Sequence, residues 1–229
     1  MKIETPVIMV NVKAYSESMG DKDIALARAC EEVKEELGVS IVYAPQMVDL
    51  ALVAREVNIP VFAQHAEAFL PGSKTGYTVL EAVKKAGASG TLINHSEHRL
   101  ELADIDFLVS EARKLNLYTV VCTNNTTVSK AAAELSPNCI AIEPPDLIGS
   151  GIPVSKAEPE IVEMSVEAVK DINKDIAVLC GAGISTGKDV KAALELGAEG
   201  VLLASGVVKA ENPKDVLLDL ANEMSVTHG

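Results

Sequence analysis

Two distant stretches of the chain share one local pattern: Ala86-Gly87-Ala88-Ser89-Gly90-Thr91-Leu92-Ile93 and Leu196-Gly197-Ala198-Glu199-Gly200-Val201-Leu202-Leu203. In each stretch the first glycine suits the C-terminal end of a helix, a second glycine follows, and an apolar strand comes next. The recurrence indicates a fold that is assembled from equivalent helix and strand units.

Short apolar runs rich in Val, Ile and Ala recur along the whole chain, and eight can be counted, beginning near Val7, Ser40, Val61, Thr91, Tyr118, Cys139, Ala177 and Gly200. Between most of these runs the apolar residues have helical spacing. Strands that alternate with helices predict a parallel sheet of the α/β class. Eight such units predict a closed (β/α)8 barrel, and an open doubly wound sheet is the alternative.

The composition agrees with one buried parallel sheet. Of the 229 residues, 48% are apolar and only 3% are aromatic, so the core must consist mainly of aliphatic side chains. No linker divides the sequence, and we expect residues 1–229 to form a single domain. The formal net charge of −13 argues against nucleic acid as a partner. A small phosphorylated substrate stays compatible with this charge, because a few local donors can bind one phosphate.

Neither the cysteines nor the N-terminus indicates export. Cys30, Cys122, Cys139 and Cys180 stand far apart without metal-ligand or disulfide spacing, and we interpret them as core thiols. The first apolar run is too short for a signal peptide or a membrane span. We therefore expect a cytoplasmic protein that has no metal, no cofactor and no contact with a membrane.

In a barrel of this type the active face is formed by the strand ends and the loops that follow them. Lys13 follows a strand that contains Asn11, and both side chains would share one face of an extended chain. A cation there could hold an anionic substrate, although a solvated lysine is the alternative. His95 ends the fourth strand, and residues 96–99 could begin a helix whose positive end favours a neutral imidazole. A capping or core histidine is the other interpretation.

Of all residues in the sequence, Glu143 is explained least well by a structural role, because it ends the apolar run 139–142 directly before two prolines. A carboxylate in that position costs free energy unless it has a partner or a function. We interpret Glu143 as a candidate base, and a glutamate that caps a loop or pairs with a lysine is the alternative.

The segment 144–151 joins stiff prolines to flexible glycines around Leu147 and Ile148, two apolar residues that we expect to be exposed. Such a segment could move as a rigid lid. An ordinary surface loop is the alternative, although Leu147 and Ile148 would be unusual at its tip. Two further turns, Gly181–Gly183 and Ala204–Gly206, follow the last two strands. Barrels frequently bind phosphate between these loops, and the first turn should lead into a helix N-terminus that offers backbone N–H groups.

Four motifs in this order resemble the triose-phosphate isomerase family, especially its shorter archaeal form, over nearly the whole chain. They are Asn11-Val12-Lys13, Asn94-His95-Ser96-Glu97-His98-Arg99, Ala141-Ile142-Glu143-Pro144-Pro145 with Ile148-Gly149-Ser150-Gly151, and the two terminal turns. The chain departs from the bacterial and eukaryotic pattern at Pro144-Pro145-Asp146 and at Cys180–Gly183. These departures affect the expected timing of the lid more than the reaction.

The resemblance implies a TIM barrel that interconverts dihydroxyacetone phosphate and D-glyceraldehyde 3-phosphate in glycolysis and gluconeogenesis. Glu143 would be the base and His95 the neutral electrophile, roles that are the known case of this family. Asn11 and Lys13 would bind substrate. The phosphate would be surrounded by the backbones of Ile148, Gly183, Ala204 and Ser205. The resemblance also implies a homo-oligomer, most typically a homotetramer, in which the loop Gly72–Gly76 reaches a neighbouring subunit. A plain surface turn is the equal alternative for this loop, since Gly, Ser and Thr are common in turns.

Two other functions are compatible with a phosphate-binding barrel. One is an epimerase of pentose phosphates, but such enzymes often use a metal or paired acids, and the sequence offers neither at the strand ends. The other is a barrel that binds a sugar phosphate without turnover. Loss of Lys13, His95 or Glu143 would have marked that case, and all three residues are present.

Overall fold

The computed structural model describes residues 3–144, 147 and 153–225. Within these residues eight strands alternate with helices: β1 (Val7–Asn11), β2 (Ser40–Ala44), β3 (Phe62–Ala63), β4 (Gly90–Ile93), β5 (Tyr118–Thr123), β6 (Cys139–Ile142), β7 (Ala177–Cys180) and β8 (Gly200–Leu203). The α-helices are α1 (Asp21–Leu37), α2 (Leu50–Glu56), α3 (Leu80–Lys85), α4 (Leu102–Lys114), α5 (Thr126–Ala133), α6 (Val154–Ala157), α7 (Pro159–Ile172), α8 (Gly187–Glu195), α9 (Ser205–Val208) and α10 (Pro213–Ser225).

The strands form one parallel sheet in the order β2-β1-β8-β7-β6-β5-β4-β3. A parallel bridge between Tyr43 and Val61 joins its two ends, and the Tyr43 N–H donates to the Pro60 carbonyl oxygen at 3.0 Å. The sheet therefore closes on itself. This arrangement confirms the predicted (β/α)8 barrel and excludes the open doubly wound sheet.

The repeated glycines close the barrel at equivalent places. Gly87 and Gly197 end their helical segments at φ angles of 99° and 88°, which favour glycine. A methyl group on Gly90 would lie 2.4 Å from the Tyr118 carbonyl oxygen, and one on Gly200 would lie 2.2 Å from the carbonyl oxygen of Val7. Both strands thus begin where the neighbouring backbone leaves no room for a side chain.

Side chains alternate between two buried layers, as the period of a strand requires. One layer fills the barrel interior and includes Met9, Leu92, Val120 and Leu179. The larger layer lies between the strands and the helices. All four cysteines are buried, which confirms their interpretation as core residues. None of the helices in the described part of the chain is long and apolar enough to cross a membrane.

Candidate active site

One pocket at the carboxyl ends of the strands brings together seven of the eight predicted site residues: Asn11, Lys13, His95, Glu143, Gly183, Ala204 and Ser205. They come from five different strand ends or the loops that follow them. Ile148 lies outside the described residues. Residues that are far apart in sequence therefore meet at the edge where this type of barrel carries its chemistry.

Glu143 points into the barrel because it continues the inward side of β6. Cys139 and Ala141 belong to the interior layer, and the Glu143 N–H extends the ladder by donating to the Thr123 carbonyl oxygen at 2.7 Å. The carboxylate is 2% exposed, and its Oε1 lies 3.2 Å from His95 Nε2. Its Oε2 is buried without a hydrogen-bond partner among the described residues. Such an unpartnered oxygen is costly unless it has a function.

Gly181 and Cys122 lie next to this carboxylate. A methyl group on Gly181 would lie 2.6 Å from Glu143 Cγ and 3.1 Å from the Ile142 carbonyl oxygen, so only glycine fits there without a shift. The Cys122 thiol stays protonated, because burial and then the nearby Glu143 charge raise its pKa well above the usual range. A neutral thiol therefore lies close to the Glu143 side chain.

His95 presents its Nε2 toward Glu143. Its Nδ1 accepts a hydrogen bond from the Glu97 backbone N–H at 3.2 Å. A neutral imidazole with an accepting Nδ1 carries its proton on Nε2, so the ring can donate from the side that faces the pocket. The side chain is largely buried at 7% exposed.

The prediction of a helix directly after His95 is wrong. Residues 96–98 form a turn, and α4 begins only at Leu102. The reason is Asn94, whose Oδ1 accepts the Leu100 N–H at 2.9 Å and whose carbonyl oxygen accepts Arg99 Nη1 at 2.9 Å. These bonds satisfy the segment without helical hydrogen bonds. Asn94 itself has a φ of 62°, a left-handed conformation that asparagine adopts more readily than most residues.

Lys13 reaches the pocket by a sharp turn and not by strand alternation, since β1 ends at Asn11. Its φ is 51°, and its backbone N–H donates to Asn11 Oδ1 at 3.0 Å. The Gln64 amide donates to the Lys13 carbonyl oxygen at 3.0 Å. The ammonium group lies 2.9 Å from Glu97 Oε1, and the side chain is only 15% exposed. A solvated lysine is therefore excluded.

The two glycine-rich turns lie side by side in the pocket, as expected. Gly183, with a φ of 74°, and Ser185 line it from the loop after β7, and Ala204 and Ser205 line it from the end of β8. The expected helix N-terminus is displaced, because α8 begins at Gly187, after the part of the loop that lines the pocket. The backbone donors that face a phosphate here belong to the loop after β7 and to the first residues of α9, which begins at Ser205.

Leu147 corrects another expectation. It is buried at 8% exposed, and its N–H donates to the Pro144 carbonyl oxygen at 3.0 Å. The sequence had suggested an exposed apolar tip, but burial of a leucine is more favourable than its exposure to water.

Several supporting residues were not assigned a role from the sequence. Gln64, Asn94 and Glu97 position Lys13 and His95, and Gly181 makes room for Glu143. Gln64, Asn94 and Gly181 directly follow a strand, which was the signal in the sequence, whereas Glu97 lies further along its loop. Their roles depend on contacts between segments that lie far apart in sequence, and no local pattern contains such contacts.

Comparison with known proteins gives a consistent result. Residues 6–224 match the family model described as triosephosphate isomerase. Triosephosphate isomerase of Methanocaldococcus jannaschii is 58% identical over 93% of this chain and 98% of its own length. The proteins of the same name from Methanobacterium bryantii and Methanobrevibacter smithii are 57% and 52% identical, over 96% and 97% of this chain and 98% and 100% of their own lengths. The chain belongs to the triosephosphate isomerase family.

Proposed function

We propose that this protein interconverts dihydroxyacetone phosphate and D-glyceraldehyde 3-phosphate through an enediolate, as a step of glycolysis and gluconeogenesis. The single observation that carries the proposal is the buried His95–Glu143 pair, with 3.2 Å between Nε2 and Oε1. A donor and a base held so close can act on an oxygen and on the carbon beside it in one small substrate.

Glu143 removes the proton from the carbon next to the carbonyl group. Its carboxylate is buried, so it acts without a tight hydration shell. The proton then returns to the neighbouring carbon, while the hydroxyl proton passes from one substrate oxygen to the other, so that the carbonyl group changes place. One carboxyl group thus serves both carbon positions, and His95, whose Nε2 faces the pocket, is positioned to exchange protons with the two substrate oxygens.

His95 and Lys13 stabilise the negative charge that develops on the substrate oxygens. His95 donates from Nε2, since its Nδ1 is occupied by the Glu97 N–H. The Lys13 ammonium group supplies a positive charge, and Glu97 and Gln64 keep its side chain and backbone in place before the substrate arrives. Donors that are fixed in advance need no reorganisation during the reaction.

The phosphate of the substrate binds between the loop after β7 and the end of β8. Gly183, Ala204 and Ser205 line this part of the pocket. Backbone N–H groups suit a phosphate even in an acidic protein, because short-range hydrogen bonds outweigh screened distant charges. By the resemblance to the family, the Ile148 backbone completes this subsite.

The proposal is tested by the conversion of dihydroxyacetone phosphate without added metal. We expect rapid turnover by the parent protein and a loss of about 10³-fold or more in kcat for Glu143→Gln, because the amide cannot accept the proton. Glu111→Gln, on α4, is the matched control for removal of one negative charge. A folded parent without turnover, or a Glu143→Gln variant with parental kcat, contradicts the proposal.

We also propose that residues 1–229 act as one catalytic domain in a cytoplasmic homotetramer. Large apolar side chains that are more than half exposed support an assembly, since such surface is commonly covered by partner subunits: Val48, Leu70, Tyr77, Leu102 and Met164. Light scattering of the purified protein measures the molar mass. Four times the chain mass of 24.1 kDa is expected, and a monomer at micromolar concentration contradicts the assembly.

A further inference from the structure

A buried carboxylate outside the pocket organises the loop after β7. Asp189, on α8, is 2% exposed, and its Oδ2 accepts hydrogen bonds from the backbone and side chain of two loop residues. The Thr186 N–H and hydroxyl donate at 2.9 Å each. The Ser185 N–H and hydroxyl donate at 3.2 and 3.4 Å. One oxygen therefore fixes two consecutive residues of the loop.

The other oxygen of Asp189 faces a single cation. Lys156 Nζ lies 2.5 Å from Asp189 Oδ1, although the lysine side chain is 53% exposed and comes from a different element, α6. Burial acts to raise the pKa of Asp189, but the hydrogen bonds from Lys156, Thr186 and Ser185 outweigh it and hold the pKa below the usual range. The carboxylate is thus charged at neutral pH.

This loop sets the gap between the two turns that line the phosphate subsite. Ser185 lines the pocket together with Gly183. A methyl group on Gly206, at the second turn, would lie 3.1 Å from the Ser185 Cα and 3.2 Å from its Cβ. The two turns are therefore in contact, and displacement of Ser185 changes the space between them.

We propose that Lys156 and Asp189 are positioning residues for the phosphate subsite. Asp189 holds Ser185 and Thr186 in place, and Lys156 neutralises Asp189 so that a dianionic phosphate can bind nearby. This inference rests on the proposed function and deepens it. Without Lys156, the buried carboxylate would keep its backbone contacts but would repel the incoming phosphate, since charges at a low-dielectric surface interact strongly over short distances.

The test replaces the exposed partner, because Lys156→Gln should fold. We measure kcat and KM for D-glyceraldehyde 3-phosphate and for D-glyceraldehyde, which has no phosphate, and the inhibition constant of inorganic phosphate. The ratio of kcat/KM for the two substrates should fall about tenfold, mainly through KM, and the inhibition constant should rise by a similar factor. Lys156→Arg should restore both values, since it keeps the charge.

Two further variants separate local neutralisation from general effects. Lys188→Gln removes one positive charge from the exposed residue next to Asp189 and should leave the ratio unchanged. Lys156→Gln combined with Asp189→Asn should recover phosphate binding relative to Lys156→Gln alone, because the uncompensated charge is gone and an amide can still accept the loop hydrogen bonds.

Three results overturn the inference. One is an equal loss on both substrates for Lys156→Gln, another is equal behaviour of Lys156→Gln and Lys188→Gln, and the third is a double variant weaker than the single one. If the parent protein itself does not turn over the phosphorylated substrate, the proposed function fails first. If the parent is active and the ratio is unchanged in Lys156→Gln, only the inference about Lys156 and Asp189 fails.

Discussion

The two edges of the barrel differ in what their residues are arranged to do. At the edge where the strands begin, Gly90 and Gly200 allow neighbouring backbones to approach within contact distance. At the edge where the strands end, Glu143 and His95 are polar, buried and only partly satisfied, and Lys13 has an uncommon backbone conformation. The first edge is optimised for packing, and the second keeps a reactive arrangement that packing alone would not select.

This difference separates residues that specify the fold from residues that specify the chemistry. Substitutions at the first edge should lower the free energy of unfolding and leave the activity of each folded molecule unchanged. Substitutions at the second edge should lower activity with a smaller effect on stability. Glycine-to-alanine changes test this division well, because they add the same methyl group at both edges.

Gly200→Ala should have the largest effect on stability. Its methyl group would lie 2.2 Å from the Val7 carbonyl oxygen and 2.8 Å from the Val7 nitrogen, and the φ of 147° disfavours alanine. We expect the free energy of unfolding to fall by about 3 kcal/mol or more. Thermal unfolding measures this loss, and kcat per folded molecule should stay parental. Gly72→Ala is the control, since nothing lies within 4 Å of its added methyl group.

Gly181→Ala should have the next largest effect, and on activity. The added methyl group would meet Glu143 Cγ at 2.6 Å and displace the carboxylate from His95. We expect kcat/KM to fall by about 10²-fold, because small errors in position are expensive in an arrangement that must be aligned. Steady-state kinetics measure this. A Gly181→Ala variant with parental kcat/KM would contradict the division between the two edges. So would a loss of activity that is fully explained by a smaller fraction of folded protein.

Asp23 is a buried carboxylate away from the pocket, so it separates the effect of burying a charge from the effect of the chemistry. We expect its substitution to have the smallest effect of the three, and on stability alone. The Tyr43 hydroxyl donates to its Oδ1, and its Oδ2 has no hydrogen-bond partner in the described residues. Burial raises the pKa of Asp23 to about 6 from an ordinary 3.8, against the hydrogen bond from Tyr43. The folded protein therefore holds this proton more tightly than the unfolded chain. Its stability falls as the pH rises from about 4 to about 6 and stays lowered above that.

Asp23→Asn removes this pH dependence, because an amide does not ionise. Relative to the parent, the variant should gain about 2 kcal/mol between pH 4 and pH 7. Denaturant unfolding at both pH values measures the change, and kcat should not differ. Asp21→Asn, exposed on the same helix, is the control for surface charge. If Asp21→Asn gained the same free energy of unfolding between the two pH values, the pH dependence could not be assigned to Asp23.

Much of the fold and many of the candidate site residues could be predicted from the sequence, because the patterns that indicate them involve residues close together in the chain. The glycine and strand repeats depend on neighbours in the chain, and they located all eight strands. Strand ends likewise identified Lys13, His95 and Glu143 as candidates. The turn after His95 was missed, since Asn94 replaces helical hydrogen bonds by side-chain bonds. The Lys156–Asp189 pair joins residues of separate helices, and only the closed barrel brings them together.

The central claim is that Glu143 carries a proton between two substrate carbons, and exchange with solvent hydrogen tests it most directly. Dihydroxyacetone phosphate is converted in D2O, and NMR follows the hydrogen at the carbon that becomes protonated. We predict a product that contains deuterium at that carbon, because a carboxyl proton exchanges with solvent, and we predict that Glu143→Gln abolishes its formation. A product that retains only protium there and that Glu143→Gln forms as fast as the parent protein would mean direct hydride transfer and would contradict the account.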